Sequence, residues 1–235
     1  MAGMISCGMK IKLVSYSQPT QEFKDQGISD AQELVAFCAR VSNPSNQYNT
    51  ETSEKLISYL IKHKHWSPLE TVHVTLECTT TRDIARQILR HRSFSFQEFS
   101  QRYADPTKDL SFEIREARLQ DTKNRQNSIP LDPENDGQSI LAGTWRNKQQ
   151  QVIDAATAAY TWAIENGIAK EQARAVLPEG NTVSRLYIAG SLRSWLHYIE
   201  LRSANGTQLE HQEIARECAK VITKIFPMIG TICQA

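Results

Sequence analysis

The sequence lacks the features that mark several classes of protein. It contains no run of about 20 apolar residues and no long apolar segment near its start. Its formal net charge is only +1, so the chain as a whole is not attracted to nucleic acid or to an anionic membrane. No C-x-x-C pair and no G-x-G-x-x-G motif occurs. We therefore expect a soluble, cytoplasmic protein that has no membrane partner, no metal site and no Rossmann-type nucleotide site.

The cysteines argue against a disulfide framework. There are five, an odd number, and they are widely spaced: Cys7, Cys38, Cys78, Cys218 and Cys233. Cys78 falls on the apolar phase of a predicted strand, where a thiol is a packing group rather than a nucleophile. We therefore expect a protein of a reducing compartment, with no disulfide framework.

Hydrophobic periodicity predicts mixed helices and strands, the α+β class, in a chain long enough for one large domain or two small ones. Alternating apolar residues predict strands at 9–17, 71–80 and 181–190. Helical spacing predicts helices at 29–42, 52–65, 82–91, 139–166, 170–177, 191–203 and 208–226. The polar segment 121–139 contains two prolines and is predicted to be a surface loop.

One segment, RQILRHRSFSFQEFSQRY at 86–103, combines arginines with phenylalanines. Gln87 and Arg90 share a helix face because they are three residues apart. If the chain beyond them is extended, Glu98, Ser100 and Arg102 point to one side, and Phe99 and Tyr103 are buried on the other. Such a segment could be a pocket for an anionic ligand with a flat ring, a solvated helix end or a nucleic-acid patch.

Within this segment, RHRSFSFQEFSQR at 90–102 resembles the signature R-H-R-x-x-S-x-N-E-x-S-x-R of flavin-dependent thymidylate synthases. Gln97 stands where the signature has Asn. Other stretches resemble the family in the same order, so that the similarity spans roughly residues 10–226: 39–42, 65–70, 85–92, 173–178, 191–202 and 208–210. The sequence also differs from common members of the family at Thr71, Ser191 and Gly206.

The resemblance implies reductive methylation of dUMP to dTMP without an enzyme nucleophile. Methylenetetrahydrofolate would donate the carbon, FAD would carry the hydride and NADPH would be the reductant. The resemblance also implies a single domain covering residues 1–235, with mixed helices around a small, mostly antiparallel sheet. It further implies a homotetramer with active sites at subunit interfaces. The competing interpretations are a nucleic-acid-binding protein that uses 86–103, and a flavoprotein of the same fold that has lost methyl transfer.

The matched positions assign residues to each ligand. For dUMP they are Gln87, Arg90, Glu98, Ser100, Arg102, Arg174 and Arg202. Arg202 is the catalytic candidate: the matched arginine binds uracil and favours its ionised form, and a fixed cation stabilises developing negative charge. For FAD the matched positions are Ser67, Arg90, His91, Arg92, Ser191, Arg193 and His197, with Ser42, His65 and Glu70 as further candidates.

Overall fold

A computed structural model describes residues 9–228, so that Cys7 and Cys233 lie outside the described residues. Its main sheet contains four strands in the order β1-β2-β6-β3, and every neighbouring pair is antiparallel. These strands are β1 (Lys10–Tyr16), β2 (His73–Thr81), β3 (Ser95–Glu98) and β6 (Val183–Ser191). Two short strands, β4 (Arg118–Gln120) and β5 (Ser128–Pro130), form a separate hairpin. Together with the helices, this arrangement confirms the predicted α+β class and its small antiparallel sheet.

Every predicted helix has a counterpart, although the ends differ by a few residues. The helices are α1 (Gln21–Asp25), α2 (Ala31–Ala39), α3 (Ser53–Lys62), α4 (Arg82–Ile88), α5 (Pro106–Asp109), α6 (Asp136–Glu165), α7 (Lys170–Ala173), α8 (Leu192–Ser203) and α9 (Leu209–Thr223). The sequence did not predict α1 and α5, because five and four residues are too few to show a helical period. Within residues 9–228 no helix is long and apolar enough to cross a membrane.

The central strands β2 and β6 each continue directly into a helix. In their register His73 lies opposite Ser191, and Thr81 lies opposite Val183. At one end the Arg82 N–H donates to the carbonyl oxygen of Thr182 at 2.9 Å. At the other end the Leu192 N–H donates to the carbonyl oxygen of Val72 at 2.8 Å. The β2-α4 and β6-α8 units are thus related by a local twofold, although their sequences show no repeat.

Trp195 lies at the centre of the core beneath this sheet. It is fully buried, and its indole N–H donates to the carbonyl oxygen of Val74 at 3.0 Å. The ring of Phe94 packs against it with centroids 4.6 Å apart. Phe94 also explains Gly190, because a Cβ at that position would lie 2.4 Å from the Phe94 ring. This contact fixes the chain between α4 and β3 against β6 and α8.

Helix α6 carries apolar side chains both on the face that packs against the rest of the chain and on its exposed surface. One face is buried against the rest of the chain by Ile153, Ala156, Tyr160 and Ala163. Another exposes large apolar side chains: Leu141, Trp145, Val152 and Trp162. Exposed apolar patches of this kind mark contacts with other protein surfaces.

The segment 121–139, predicted as a surface loop, is more ordered than that prediction describes. It contains β5, which pairs with β4, and α6 begins at Asp136 rather than at 139. Asn135 caps α6 by accepting a hydrogen bond from the Gln138 N–H at 3.1 Å. Most of the segment's side chains are exposed.

Candidate active site

The C-terminal ends of α4 and α8 meet at one hydrogen bond. The Arg202 Nε–H donates to Nε2 of His91 at 2.8 Å. Burial, followed by the charges of Arg202 and Arg90, lowers the pKa of His91 to about 4. His91 is therefore neutral at pH 7 and carries its proton on Nδ1, because Nε2 accepts. A neutral imidazole thus fixes the orientation of the Arg202 guanidinium.

Gln87, on the last turn of α4, is held by two residues near the start of α9. Its Nε2 donates to Oε1 of Gln208 at 2.8 Å, and its Oε1 lies 3.2 Å from Nδ1 of His211. The sequence did not identify Gln208 or His211 as partners of Gln87. They lie more than 120 positions away, so no local pattern connects them.

Glu98 ends β3 and faces the start of α4. Its Oε1 accepts from the Ser184 hydroxyl at 2.8 Å and lies 3.5 Å from Nη1 of Arg82. The prediction that the extended chain continues to Arg102 is wrong. The N–H groups of Tyr103 and Ala104 both donate to the Ser100 carbonyl at 3.1 Å, which closes a turn. As a result, Tyr103 is 81% exposed rather than buried.

Arg102 and Arg174 form a second group around Glu171. Arg102 Nε lies 3.5 Å from Oε2 of Glu171, and Arg174 Nε donates to its backbone oxygen at 3.3 Å. Ser100 adjoins this group and accepts from the Arg102 N–H at 3.4 Å. Among residues 9–228, no hydrogen bond or ion pair joins these residues to Gln87, His91 or Arg202.

A third group lies at the start of α8. Ser191 caps the helix by accepting from the Ser194 N–H at 3.3 Å, so the serine fills a helix-capping role here. Arg193 Nη1 donates to Oε1 of Glu70 at 2.9 Å. Hydrogen bonds from Ser191 and then from Arg193 lower the pKa of Glu70 against the opposing effect of burial. His197 packs edge-on against Trp66 at 4.6 Å.

The remaining predicted cofactor residues lie at the surface. They are Ser42, His65, Ser67, Arg90 and Arg92. Ser67 begins the short 3₁₀ helix Ser67–Glu70, and His65 lies beside Tyr59 with ring centroids 6.0 Å apart.

The donors in and around the third group fit a dinucleotide cofactor. The Nε of Arg193 is buried and has no hydrogen-bond partner within the described residues, although the same guanidinium pairs with Glu70. Arginine forks bind phosphate groups well, and Arg90 and Arg92 add two exposed cations. In the part of the chain that the structure describes, no cluster of three His, Cys, Asp or Glu side chains could hold a metal ion.

The two other departures from the family pattern have local structural roles. Thr71 donates its hydroxyl to the carbonyl oxygen of Pro68 at 2.7 Å and thereby closes the 3₁₀ turn. Gly206 lies between α8 and α9 at φ +89°, a conformation that favours glycine. A Cβ there would also lie 3.0 Å from Oε1 of Gln126.

Comparisons with known proteins agree with this architecture. The family model described as "Thymidylate synthase complementing protein" matches residues 25–228. A probable flavin-dependent thymidylate synthase from Paramecium bursaria Chlorella virus 1 is 47% identical over 94% of this chain and 97% of its own length. A flavin-dependent thymidylate synthase from a Synechocystis species is 46% identical over 96% of this chain and its full length. The fold is shared with the crystal structure of the UMP/dUMP methylase PolB from Streptomyces cacaoi bound with 5-Br UMP, with a TM-score of 0.76. The match covers 94% of this chain and 91% of that one, at 24% sequence identity. The chain belongs to the flavin-dependent thymidylate synthase family.

Proposed function

We propose that the protein catalyses the reductive methylation of dUMP to dTMP, with methylenetetrahydrofolate as carbon donor and NADPH as reductant. FAD, when bound, supplies the hydride-transfer chemistry that amino-acid side chains lack. The observation that carries the proposal is the Arg202 guanidinium held by a neutral His91. The His91 ring lies beside the rings of Tyr198 and His211, and His211 is a partner of Gln87. A cation fixed in this way stabilises negative charge that develops on a pyrimidine ring.

The other predicted residues divide into two roles under this proposal. Gln87 reads the nucleotide through its amide, and Arg90, Arg102 and Arg174 bind its phosphate. Glu98 and Ser100 also contact the nucleotide. FAD would be held by the side chains at the start of α8 and the end of α4: Ser67, Arg90, His91, Arg92, Ser191, Arg193 and His197, with Ser42, His65 and Glu70 at the margin.

The nucleic-acid interpretation has less support, because several arginines in and next to the segment are already paired with carboxylates. Arg82 lies 3.5 Å from Glu98, and Arg86 lies 3.3 Å from Glu179. These pairs reduce the free positive charge that binding of a phosphate backbone requires.

The test is release of tritium from [5-³H]dUMP, followed together with dTMP formation. The complete mixture contains FAD, NADPH and methylenetetrahydrofolate, and each is omitted in turn. We expect dTMP only from the complete mixture. A folded, FAD-loaded protein that forms no dTMP would refute the proposal and favour a flavoprotein that has lost methyl transfer.

Replacing all five cysteines by alanine should leave turnover intact. Cys78 is fully buried, and burial raises its pKa to about 12. Burial also raises the pKa of Cys218 well above its usual value. Such thiols cannot supply a thiolate nucleophile at neutral pH. The check is the tritium assay at matched FAD content, and loss of dTMP formation in a folded, FAD-loaded variant would contradict the prediction.

We also propose that the chain acts as one domain in a homotetramer whose active sites are completed between subunits. The exposed apolar face of α6 supports an interface, and within residues 9–228 no hydrogen bond or ion pair joins the group around Arg202 to the group around Glu171. Light scattering should give a mass near four chains of 26.6 kDa, and Val152→Glu should reduce it. A wild-type mass of one chain would refute this assembly.

A cytoplasmic location is supported by the free thiols of Cys38, Cys78 and Cys218.

A further inference from the structure

Five polar side chains form a continuous hydrogen-bonded chain through Gln87. Gln208 Nε2 donates to Oε2 of Glu210 at 3.0 Å, and Gln87 Nε2 donates to Oε1 of Gln208 at 2.8 Å. On the other side of Gln87, Nδ1 of His211 lies 3.2 Å from Oε1, and Nε2 of His211 lies 3.1 Å from the hydroxyl of Tyr198.

At one end of this hydrogen-bonded series of side chains lies the Glu210 carboxylate, which is held in its charged form. The Glu210 side chain is only 9% exposed and lies 3.3 Å from Nη1 of Arg115, while its other oxygen accepts from Nη2 of Arg118. Burial raises the pKa of Glu210, but the two guanidinium groups outweigh burial, and the net direction is downward. A carboxylate of this kind can only accept hydrogen bonds.

The charge on Glu210 then determines the orientation of every group that follows. Gln208 must direct its NH₂ group to Glu210, so its carbonyl oxygen faces Gln87. Gln87 must in turn donate with its NH₂ group, so its own carbonyl oxygen faces His211. Reversing either amide would place two acceptors against each other.

The same logic fixes the tautomer of His211. Nδ1 must carry the proton that is donated to Gln87, which leaves Nε2 to accept from the Tyr198 hydroxyl. His211 has no exposed surface, and burial, followed by the charges of Arg202 and His91, lowers its pKa to about 3. It is therefore a neutral imidazole with one defined tautomer at pH 7.

We propose that Glu210, Gln208 and His211 are positioning residues that fix the amide of Gln87 as a hydrogen-bond donor toward an acceptor oxygen of the nucleotide. The carbonyl oxygen of Gln87 is committed to His211, whereas its NH₂ group has a second hydrogen beyond the one given to Gln208. This inference rests on the proposed function, because it takes dUMP as the ligand of Gln87.

A double-mutant cycle between Gln208 and Gln87 tests the coupling. In the FAD-loaded protein, dUMP affinity is measured from the change in flavin absorbance, and KM and kcat from tritium release. Gln208→Met should weaken dUMP binding about tenfold when Gln87 is present, as expected for loss of one oriented hydrogen bond. In the Gln87→Ala background the same change should alter affinity less than about twofold.

Gln212→Met is the matched control, because Gln212 lies on the first turn of α9, next to Gln208, and its Nε2 donates to the Thr207 carbonyl oxygen at 2.7 Å. It should leave dUMP affinity and KM unchanged. Equal losses from Gln208→Met in both backgrounds would overturn the inference. A lower melting temperature with unchanged dUMP affinity would also overturn it, since that result describes a structural role alone.

A pair of substitutions at His211 provides a second test that does not depend on the folding of Gln208→Met. The amide nitrogen of asparagine can replace Nδ1 as a donor, whereas leucine cannot donate. His211→Asn should keep dUMP affinity within about threefold, and His211→Leu should lose about tenfold. Equal affinities for the two variants would overturn the inference. An inactive wild-type protein would instead refute the proposed function, so the two failures are distinguishable.

Discussion

Replacing Arg202 by alanine should lower the rate of dTMP formation about 100- to 1,000-fold while FAD stays bound, a loss typical of removing one oriented group that stabilises developing charge. The side chain closes α8, and its Nε is held 2.8 Å from Nε2 of His91. The prediction is checked by tritium release, with FAD content measured by absorbance at matched protein concentration. Arg202→Lys should recover only part of the rate, because an ammonium group keeps the charge but lacks the planar fork.

Arg216→Ala is the control for removing a positive charge near α9. Arg216 is exposed and donates to Oε1 of Gln212 at 2.9 Å, one helical turn away on its own helix. We expect its rate to stay within about twofold of wild type, as is usual for surface substitutions. If Arg202→Ala lost FAD binding and turnover to the same extent, Arg202 would be a scaffold residue.

Replacing Glu210 by alanine should lower the free energy of unfolding by about 3–5 kcal/mol, the usual cost of removing one partner from a buried ion pair. The side chains of Arg115 and Arg118 are each only 14% exposed, so both charges would lose a carboxylate partner in a poorly solvated place. Arg115 would keep Asp83 at 2.7 Å, whereas Arg118 would keep no other ion-pair partner within residues 9–228. The measurement is urea unfolding of both proteins at one fixed protein concentration, since assembly contributes to apparent stability.

Glu217→Ala is the matched control on the same helix. Glu217 pairs with Lys220, whose side chain is 69% exposed, and such surface pairs contribute about 0–1 kcal/mol. If Glu210→Ala also lowered the free energy of unfolding by less than about 1 kcal/mol, the buried ion pairs would not determine how α9 packs against the rest of the chain.

Helices and strands were predicted from the sequence where the periodic spacing of apolar residues continues over many positions. Strand β2 alternates over nine residues and α9 keeps its helical period over fifteen, and both were located to within three residues. The turn at Ser100 was missed because the alternating pattern over 98–102 rests on only three residues, Glu98, Ser100 and Arg102. The extended conformation also competes there with the burial of Gln101 and the helix cap at Asp105.

For the candidate site, the motif supplied the residue types but not their partners. The stretches that resemble the family include Gln87 and Arg90, yet the groups that orient Gln87, Gln208 and His211, come from the start of α9. Likewise, Arg193 meets Glu70 across 123 positions of sequence. Contacts of this kind depend on how the sheet brings distant segments together, and no local spacing encodes them.

The register of β2 with β6 has a consequence for how the chain reaches its folded state. Thr81 and Val183 lie opposite each other, so this pair closes a loop of about 100 residues, and the contact between His91 and Arg202 closes a similar one. Ordering a contact between such distant segments slows folding more than it lowers stability. The cost of closing a flexible loop rises by only about 0.6 kcal/mol for each doubling of its length. The long connection between β2 and β6 therefore adds little to the free-energy cost of forming the sheet, although it slows the step in which the two strands meet.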